Sequence, residues 1–258
     1  MKDILELIQN QKHSYAQLPL FTFMKDRSID PRKRLAFAPC MAHFIMSFSD
    51  LNKYIWRQED TTDVHQILVN NHTYEDDHHW PWFLTDLQKL EFNRKMSFTE
   101  SLRFLWSDDI KITRQLSYQL AAYTQQATPL QKIAMIEAIE ATGNVLFEHT
   151  NQVVSELQIV SAQDYQYFGE FHLQLETGHT CGGLSFEQGI EEIILELSEF
   201  EHAIILIQNV FNIFTNWTEE LLRFAKSQSN SKSDELDLPE SSFKEKEYKP
   251  ELAFKTYR

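Results

Sequence analysis

The stretch from Thr128 to Val154, TPLQKIAMIEAIEATGNVLFEHTNQVV, decides the fold class of this chain. Thr128 can cap a helix, Pro129 suits the first helical position, and Gln131 completes a capping box. The residues that follow contain no helix breaker other than a single Gly. The stretch therefore predicts one long helix that starts at Pro129 and runs to about Val154.

The rest of the chain also favours helices. Its 258 residues include only 6 Gly and 7 Pro, whereas an all-β fold of this length would need many more turn-forming residues. The sequence thus predicts an all-α bundle of about seven to eight helices. A second helix is predicted from Asp30-Pro31 to about Trp56, with a kink near 35–38 caused by Pro39. A third starts at Thr61, Thr62 or Asp63 and runs through 72–79 up to Pro81, and a short one starts at the Ser97–Glu100 capping box. The remaining predicted helices run from Thr113 to Gln126, from Ser161 to Gly178, and from the Ser185–Gln188 capping box to about Lys226.

Charge and composition limit the classes of function. The net charge is −14, and almost all of it lies in residues 1–226, which we expect to form a single helical domain. Residues 227–258 form a polar tail that we expect to be flexible. An acidic chain without a basic stripe is a poor ligand for nucleic acid or an anionic membrane. The most apolar run, 203–214, is too short to span a bilayer.

Cysteine use and the N-terminus indicate a cytoplasmic protein. Cys40 and Cys181 provide neither a disulfide framework nor a zinc motif, and the N-terminal residues lack the apolar stretch of a signal peptide. Cys181 lies in a Gly-rich break, where a small structural residue is a better interpretation than a nucleophile. The sequence leaves the oligomeric state open, with a homodimer as one option.

Five of the ten histidines lie in two windows, NNHTYEDDHHW at 70–80 and EFHLQLETGHT at 170–180. An α-helix turns by about 100° per residue, so positions 0, 3, 4 and 7 share one face. Each window reads His-x6-His, with a carboxylate one turn after the first histidine. The residues that share a face in this way are His72, Glu75, Asp76 and His79 in the first window and His172, Glu176 and His179 in the second.

This pattern favours a metal site. Imidazoles and carboxylates that face a core are costly to bury unless something pairs with them, and a shared divalent cation would pair with both windows. Mixed nitrogen and oxygen ligands favour iron, manganese or zinc, and helical bundles commonly build such sites from neighbouring helices. The helix from Pro129 would add a bridging carboxylate, for which Glu140 is the first choice, Glu137 the second and Glu148 the third.

Ordinary structural roles are the alternative. His78 and His79 beside Trp80 could be packing residues, and Asp76 and Asp77 could be solvated surface. The doubled pattern, each time with an internal acid, favours metal ligands over these interpretations. Structural roles are expected for the remaining histidines, His13, His43, His65, His149 and His202.

At these residues the chain resembles the haem-oxygenase-like di-iron oxidases and oxygenases, in a superfamily shared with thiaminase II and pyrroloquinoline quinone synthase. Metal-binding members carry Glu-x6-His on one helix, a Glu on a second and His-x3-Asp/Glu-x2-His on a third. Residues 172–179 match the third element completely, which is the fairly specific part of the resemblance. Glu140 stands about where the middle carboxylate is expected, and His79 matches the histidine of the first element.

The resemblance covers about residues 30–225 and implies an iron-dependent oxidoreductase that uses dioxygen on a small organic substrate. It implies one or two Fe(II) ions per chain, with manganese as another option. The departure is at His72, where the superfamily has Glu. Either His72 replaces that ligand, or Glu75 takes over from a shifted position, or that subsite is weak. The implied ligands are His72 or Glu75, His79, Glu140, His172, Glu176 and His179.

Other functions remain compatible with the sequence. A metal-free, thiaminase-like hydrolase would use Cys181 or a glutamate as its reactive group. A non-catalytic helical interaction protein would carry a vestigial site and act through its acidic surface or its tail. A haem protein is less consistent with the doubled pattern, because one axial histidine would suffice. Aromatic residues that flank the windows, as a pocket or as plain core, are Trp80, Trp82, Phe83, Phe168 and Phe171.

Overall fold

A computed structural model describes residues 1–93, 95–179, 190 and 193–229, with the side chains of these residues apart from 176–179 and 229. These parts are helical and contain no β-strand, so the predicted all-α class is confirmed. The α-helices are α1 (Lys2–Tyr15), α2 (Pro19–Lys25), α3 (Pro31–Arg34), α4 (Ala42–Asp50), α5 (Val64–Asp76), α6 (Trp80–Lys89), α7 (Phe98–Leu105), α8 (Lys111–Thr124), α9 (Pro129–Ser161), α10 (Glu170–His179) and α11 (Leu197–Ser229).

Helix α9 is the central helix of the bundle. It packs against α1, α2, α3, α5, α10 and α11, and buried residues lie around its whole circumference, which is typical of an enclosed helix. The Thr128 capping box starts it as predicted. The helix continues past the predicted end to Ser161, and Ala162 then adopts a left-handed conformation with φ of 52°.

The segment predicted as one kinked helix from Asp30 is instead broken into pieces. The Asp30 carboxylate caps α3 as expected, but that helix spans only four residues. Pro39 then lies in a 3₁₀ turn, Ala38–Met41, because proline cannot donate the hydrogen bond that an α-helix interior requires. Helix α4 follows and widens into a π-helical stretch, Leu51–Trp56.

The prediction of one helix through residues 72–79 is also wrong. Helix α5, capped by Asp63, ends at Asp76, and Pro81 lies in the first turn of a new helix, α6, where a missing N–H costs nothing. The backbone of His79 nevertheless stays close to helical, with φ of −79° and ψ of −19°. His79 therefore remains near the face of α5 that carries His72.

The C-terminal helices start later than predicted. Since α9 extends to Ser161, the helix predicted from there begins only at Glu170. Residues 193–196 are not helical, and the last helix begins at Leu197 and ends close to the predicted position. The capping box at 185–188, Cys181 and the segment 230–258 lie outside the described residues. Among the helices that are described, none is long and apolar enough to cross a membrane.

Candidate metal centre

A histidine between two carboxylates forms the middle of the site. His72 projects from α5 and is paired through both ring nitrogens. Its Nε2 lies 3.0 Å from Oδ2 of Asp76, one turn further along α5, and its Nδ1 lies 3.0 Å from Oε1 of Glu140 on α9. Asp76 and Glu140 are both buried, and one ligand atom from each of the three residues lies within 4.8 Å of the others.

Two further histidines extend this cluster. Nδ1 of His79 lies 4.0 Å from Oδ1 of Asp76 and 3.2 Å from Nε2 of His172 on α10. Nδ1 of His172 in turn lies 2.9 Å from the carbonyl oxygen of Tyr167. Because a carbonyl can only accept, the His172 proton is on Nδ1, and Nε2 accepts a hydrogen bond from His79. We call His72, Asp76, His79, Glu140 and His172 the His/acid cluster.

The histidines of the cluster differ in charge. Burial alone lowers the pKa of His72, but the charges and hydrogen bonds of Asp76 and Glu140 outweigh it and hold the pKa well above its usual value. His72 is therefore an imidazolium at neutral pH. Burial lowers the pKa of His172 to about 4, although its hydrogen bond to Tyr167 opposes this shift. His172 is therefore neutral, with a lone pair on Nε2.

The structure brings together four of the predicted ligands: His72, His79, Glu140 and His172. Glu75 instead lies exposed on α5, and Asp76 takes the buried position. On a helix, Asp76 is about 40° from His72 in projection whereas Glu75 is about 60° away on the other side, so the two acids face different surroundings.

The remaining candidates for ligands lie elsewhere or are not described. Among the acids of α9, Glu140 contacts His72, Glu137 is only partly buried and Glu148 is exposed. Glu176 and His179 lie on α10, but their side chains are outside the described residues.

Asp76 was missing from the predicted ligand set, although a signal for it was present. His72-x3-Asp76-x2-His79 has the same spacing as the motif over residues 172–179. Helical periodicity places both Glu75 and Asp76 near the face of His72. Only Asp76 also has the His-x3-acid-x2-His spacing of residues 172–179, and this shared spacing selects it over Glu75.

An apolar cavity of about 80 Å³ opens onto the cluster. His72, Asp76, His79, Glu140 and His172 lie in its wall. The rest of the wall is contributed mainly by α4, α9 and α11 and is rich in aromatic and aliphatic side chains, including Phe44, Ile45, Phe48, Trp56, Trp80, Ile136, Ile139, Leu146, Phe147, Tyr167, Phe214 and Trp217.

Several polar groups of this wall already have protein partners. The indole N–H of Trp56 donates to Thr124 Oγ1 at 3.2 Å, and that of Trp217 donates to Thr113 Oγ1 at 2.9 Å. The hydroxyl of Thr142 donates to a carbonyl of its own helix at 2.7 Å. A molecule in the cavity would therefore meet mostly carbon, with polar contacts concentrated at the His/acid cluster.

Aromatic rings fix the two imidazoles at the edge of the cluster. The ring of His79 stacks on Trp82, with centroids 4.6 Å apart and an interplanar angle of 18°. His172 packs against Phe147 at 4.1 Å and against Tyr167 at 4.7 Å. Of the predicted flanking aromatics, Trp80 lines the cavity, Trp82 and Phe171 pack against each other, and Phe83 and Phe168 are core residues.

The donor set fits a divalent transition metal. Two buried carboxylates need a positive charge nearby, and His72 supplies one from the position where it contacts both. A metal ion would supply the same charge and could be held by Asp76, Glu140 and the histidine nitrogens. Nitrogen and oxygen donors in this combination suit iron, manganese or zinc.

The histidines predicted to be structural are separate from this cluster where the structure describes them. His149 is buried on α9 and its Nδ1 donates to the carbonyl of Val145 at 2.7 Å, while Phe21 packs on its ring at 4.9 Å. His149 is therefore a core histidine and a suitable control for the cluster. His43 packs against Trp106 at 5.8 Å.

Comparison with known proteins adds no family assignment. No model of a protein family matches the chain, and no curated protein matches it either. The resemblance to the haem-oxygenase-like oxidases therefore stays a prediction, based on the motif residues alone.

Proposed function

We propose that this protein is a non-haem iron oxidase or oxygenase that acts on a small, largely apolar organic substrate with dioxygen. The observation that supports it most is the buried His/acid cluster in the wall of an apolar cavity. An apolar lining with a few convergent polar groups is typical of small-molecule sites, and a volume of about 80 Å³ suits an occupant of only a few non-hydrogen atoms unless the wall moves. His72, Asp76, His79, Glu140 and His172 would hold iron, one or two ions per chain, with Glu176 and His179 as further candidates.

The chain's own residues prepare this site for a cation. Asp76 and Glu140 supply negative charge in a buried region, where the attraction to a cation is strong. His172 carries its lone pair on Nε2, because its proton is held on Nδ1 by the Tyr167 carbonyl, and a metal ion would replace the hydrogen bond that Nε2 accepts from His79. His72 must lose the proton from one of its nitrogens before that nitrogen can bind a metal, so metal binding at His72 releases a proton.

When bound, ferrous iron supplies the activation of dioxygen. The protein contributes the surroundings. The aromatic wall offers water few hydrogen-bond partners, and it suits substrates whose bulk is hydrocarbon. The polar end of such a substrate would lie at the cluster, since the wall groups of Trp56 and Trp217 are already bonded to protein partners.

The proposal can be tested by oxygen uptake with two neighbouring aspartates as a matched pair. Asp76 contacts His72, whereas Asp77 pairs with Arg57 at 2.6 Å. The protein is loaded with ferrous iron without oxygen, desalted, and mixed with aerated buffer. We expect stoichiometric oxygen uptake by the wild type and by Asp77→Asn, and its loss in Asp76→Asn. Equal uptake by all three proteins, or none by the wild type, would contradict the proposal.

A metal-free enzyme is the second candidate, and the pairing of His72 favours it. Both of its nitrogens are bonded to carboxylates, so His72 neutralises part of their negative charge without a metal ion. Of the two reactive groups considered for a hydrolase, Cys181 lies outside the described residues, and Glu140 faces the cavity. Activity that survives complete chelation, and that Glu140→Gln abolishes, would favour this candidate over the oxygenase.

A further inference from the structure

A single buried carboxylate holds the turn that precedes α10. Asp86, in the last part of α6, is fully buried. Its Oδ1 accepts a hydrogen bond from the N–H of Gln166 at 3.0 Å, and its Oδ2 accepts from the N–H groups of Tyr167 at 2.7 Å and Phe168 at 3.0 Å. Successive N–H groups that converge on one anion form a nest, which fixes the backbone around a negative charge.

The same turn carries the carbonyl that orients His172. Nδ1 of His172 donates to the carbonyl oxygen of Tyr167, and this carbonyl belongs to the same peptide group as the N–H of Phe168. Asp86 and His172 thus bond to opposite ends of one peptide group. A carboxylate at the N–H end polarises the peptide and makes its oxygen a stronger acceptor.

Helix α6 also links Asp86 to the rest of the cluster. His79 directly precedes α6, and Asp86 lies seven residues later, so both residues lie on one face of this region. Between them, Trp82 packs on Phe171 at 5.2 Å, and Phe83 packs on Tyr167. This face of α6 therefore packs on residues 166–172. The packing places Nδ1 of His79 at 3.2 Å from Nε2 of His172.

We infer that Asp86 is a positioning residue of the metal centre. Through the Tyr167–Phe168 peptide group, Asp86 holds His172 in the tautomer that has its lone pair on Nε2. The inference rests on the proposed metal centre. In many metal sites a carboxylate bonds directly to the ligating histidine and fixes its tautomer. In this protein a peptide group lies between the two.

Glu220 provides a matched control for Asp86. It is also a buried carboxylate that accepts two backbone N–H bonds, from Ile112 at 2.7 Å and Thr113 at 2.8 Å, and it adds the Thr113 hydroxyl at 2.9 Å. No bond in this set reaches the His/acid cluster. Asp86→Asn and Glu220→Gln therefore remove similar hydrogen bonds, but only the first alters the peptide group that bonds to His172.

The direct test is the tautomer of His172 in the metal-free protein. Long-range ¹H–¹⁵N correlation spectra distinguish Nδ1–H from Nε2–H, and the His172 signals are assigned by their loss in His172→Gln. We expect the Nδ1–H tautomer in the wild type and in Glu220→Gln, and a mixture of tautomers in Asp86→Asn. An Nε2–H tautomer in the wild type would overturn the inference even if Asp86→Asn fails to fold.

The second readout is the affinity for Co(II), measured by optical titration. Loss of a residue that orients a metal ligand typically weakens binding by about 10–100-fold. We expect such a loss in Asp86→Asn and a change of less than about twofold in Glu220→Gln. Wild-type binding with an unchanged affinity in Asp86→Asn would refute the positioning role and leave the metal centre intact. If no metal binds but the tautomer shifts, the positioning role stands and the proposed function fails.

Discussion

Glu140 and Glu220 are both buried glutamates on long helices, yet their partners differ in kind. Glu220 is bonded to the backbone and hydroxyl of Thr113 and to the backbone of Ile112. These partners cannot change their charge, so the arrangement ties α11 to the start of α8. Glu140 is bonded to His72, a titratable side chain, and faces a cavity. The comparison separates a carboxylate whose partners have fixed charges from one whose partner, His72, can lose a proton.

The largest effect expected from this difference is on metal affinity. Glu140→Gln removes a proposed ligand, and we expect it to weaken Co(II) binding by about 100-fold or more, since even residues that only orient ligands contribute about 10–100-fold. Glu220→Gln should leave the affinity unchanged. Titration of both variants with Co(II) checks this, and equal affinities would remove the distinction between the two glutamates.

The next effect is on the pH dependence of stability in the metal-free protein. The pKa of buried His172 is about 4, below its ordinary value of 6.5, so the unfolded chain binds the proton more readily. The contribution of His172 is therefore fully present above pH 6.5 and is lost as the pH falls through 4. A shift of this size corresponds to about 3 kcal/mol. Urea unfolding between pH 7 and pH 4 should show a smaller loss of stability in His172→Gln than in the wild type.

The pKa of His72 is shifted in the opposite direction from that of His172, so its effect on stability has the opposite pH dependence. Its folded-state pKa is raised, so its contribution to stability is fully present below pH 6.5 and is lost as the pH rises through that raised pKa. The difference in unfolding free energy between the wild type and His72→Gln should therefore shrink at high pH. A difference that grows with pH would contradict the ion-paired assignment of His72.

A smaller effect concerns the glutamate that holds the fold. Glu220→Gln keeps the shape of the side chain but weakens three hydrogen bonds to buried donors. We expect it to lower the free energy of unfolding by about 1–3 kcal/mol, with no change in oxygen uptake by the iron-loaded protein. Denaturant unfolding and oxygen uptake, measured on the same preparation, check the two halves of this prediction.

The smallest effect is expected at Gly143, which lines the cavity from the middle of α9. An added Cβ would meet Phe147 Cε2 at 3.6 Å, an ordinary contact. Gly143→Ala should therefore stabilise the helix by about 0.5–1 kcal/mol while narrowing the cavity. Thermal unfolding and xenon binding measure the two changes. Gly169→Ala should instead destabilise, because its Cβ would clash with the Tyr165 carbonyl.

The parts of the fold that local signals control could be predicted from the sequence. The capping boxes at Ser97 and Thr128 start helices where expected, because the bonds that define them lie within four residues. The breaks around Pro39 and Pro81 were misjudged. A proline can kink a helix, end it or start another, and packing from distant parts of the chain decides among these outcomes.

The candidate site was predictable to a similar extent. Helical periodicity brought His72, His79 and His172 to the right faces, and Glu140 lies in the cluster as expected. Periodicity alone could not choose between Glu75 and Asp76, because both lie within about 60° of His72 in projection, on opposite sides. Asp86 was not singled out, since its role depends on a turn 80 residues away in the chain.

The iron content of the purified protein after anaerobic reconstitution, measured by elemental analysis, tests the proposed metal centre most directly. His72→Gln and His149→Gln form the matched pair, because both histidines lie in the interior, but in the described part of the chain His149 bonds to the Val145 carbonyl and not to the His/acid cluster. We expect one to two irons per chain in the wild type and in His149→Gln, and a clear loss in His72→Gln. A wild type without iron, or an iron content that His72→Gln leaves unchanged, would contradict it.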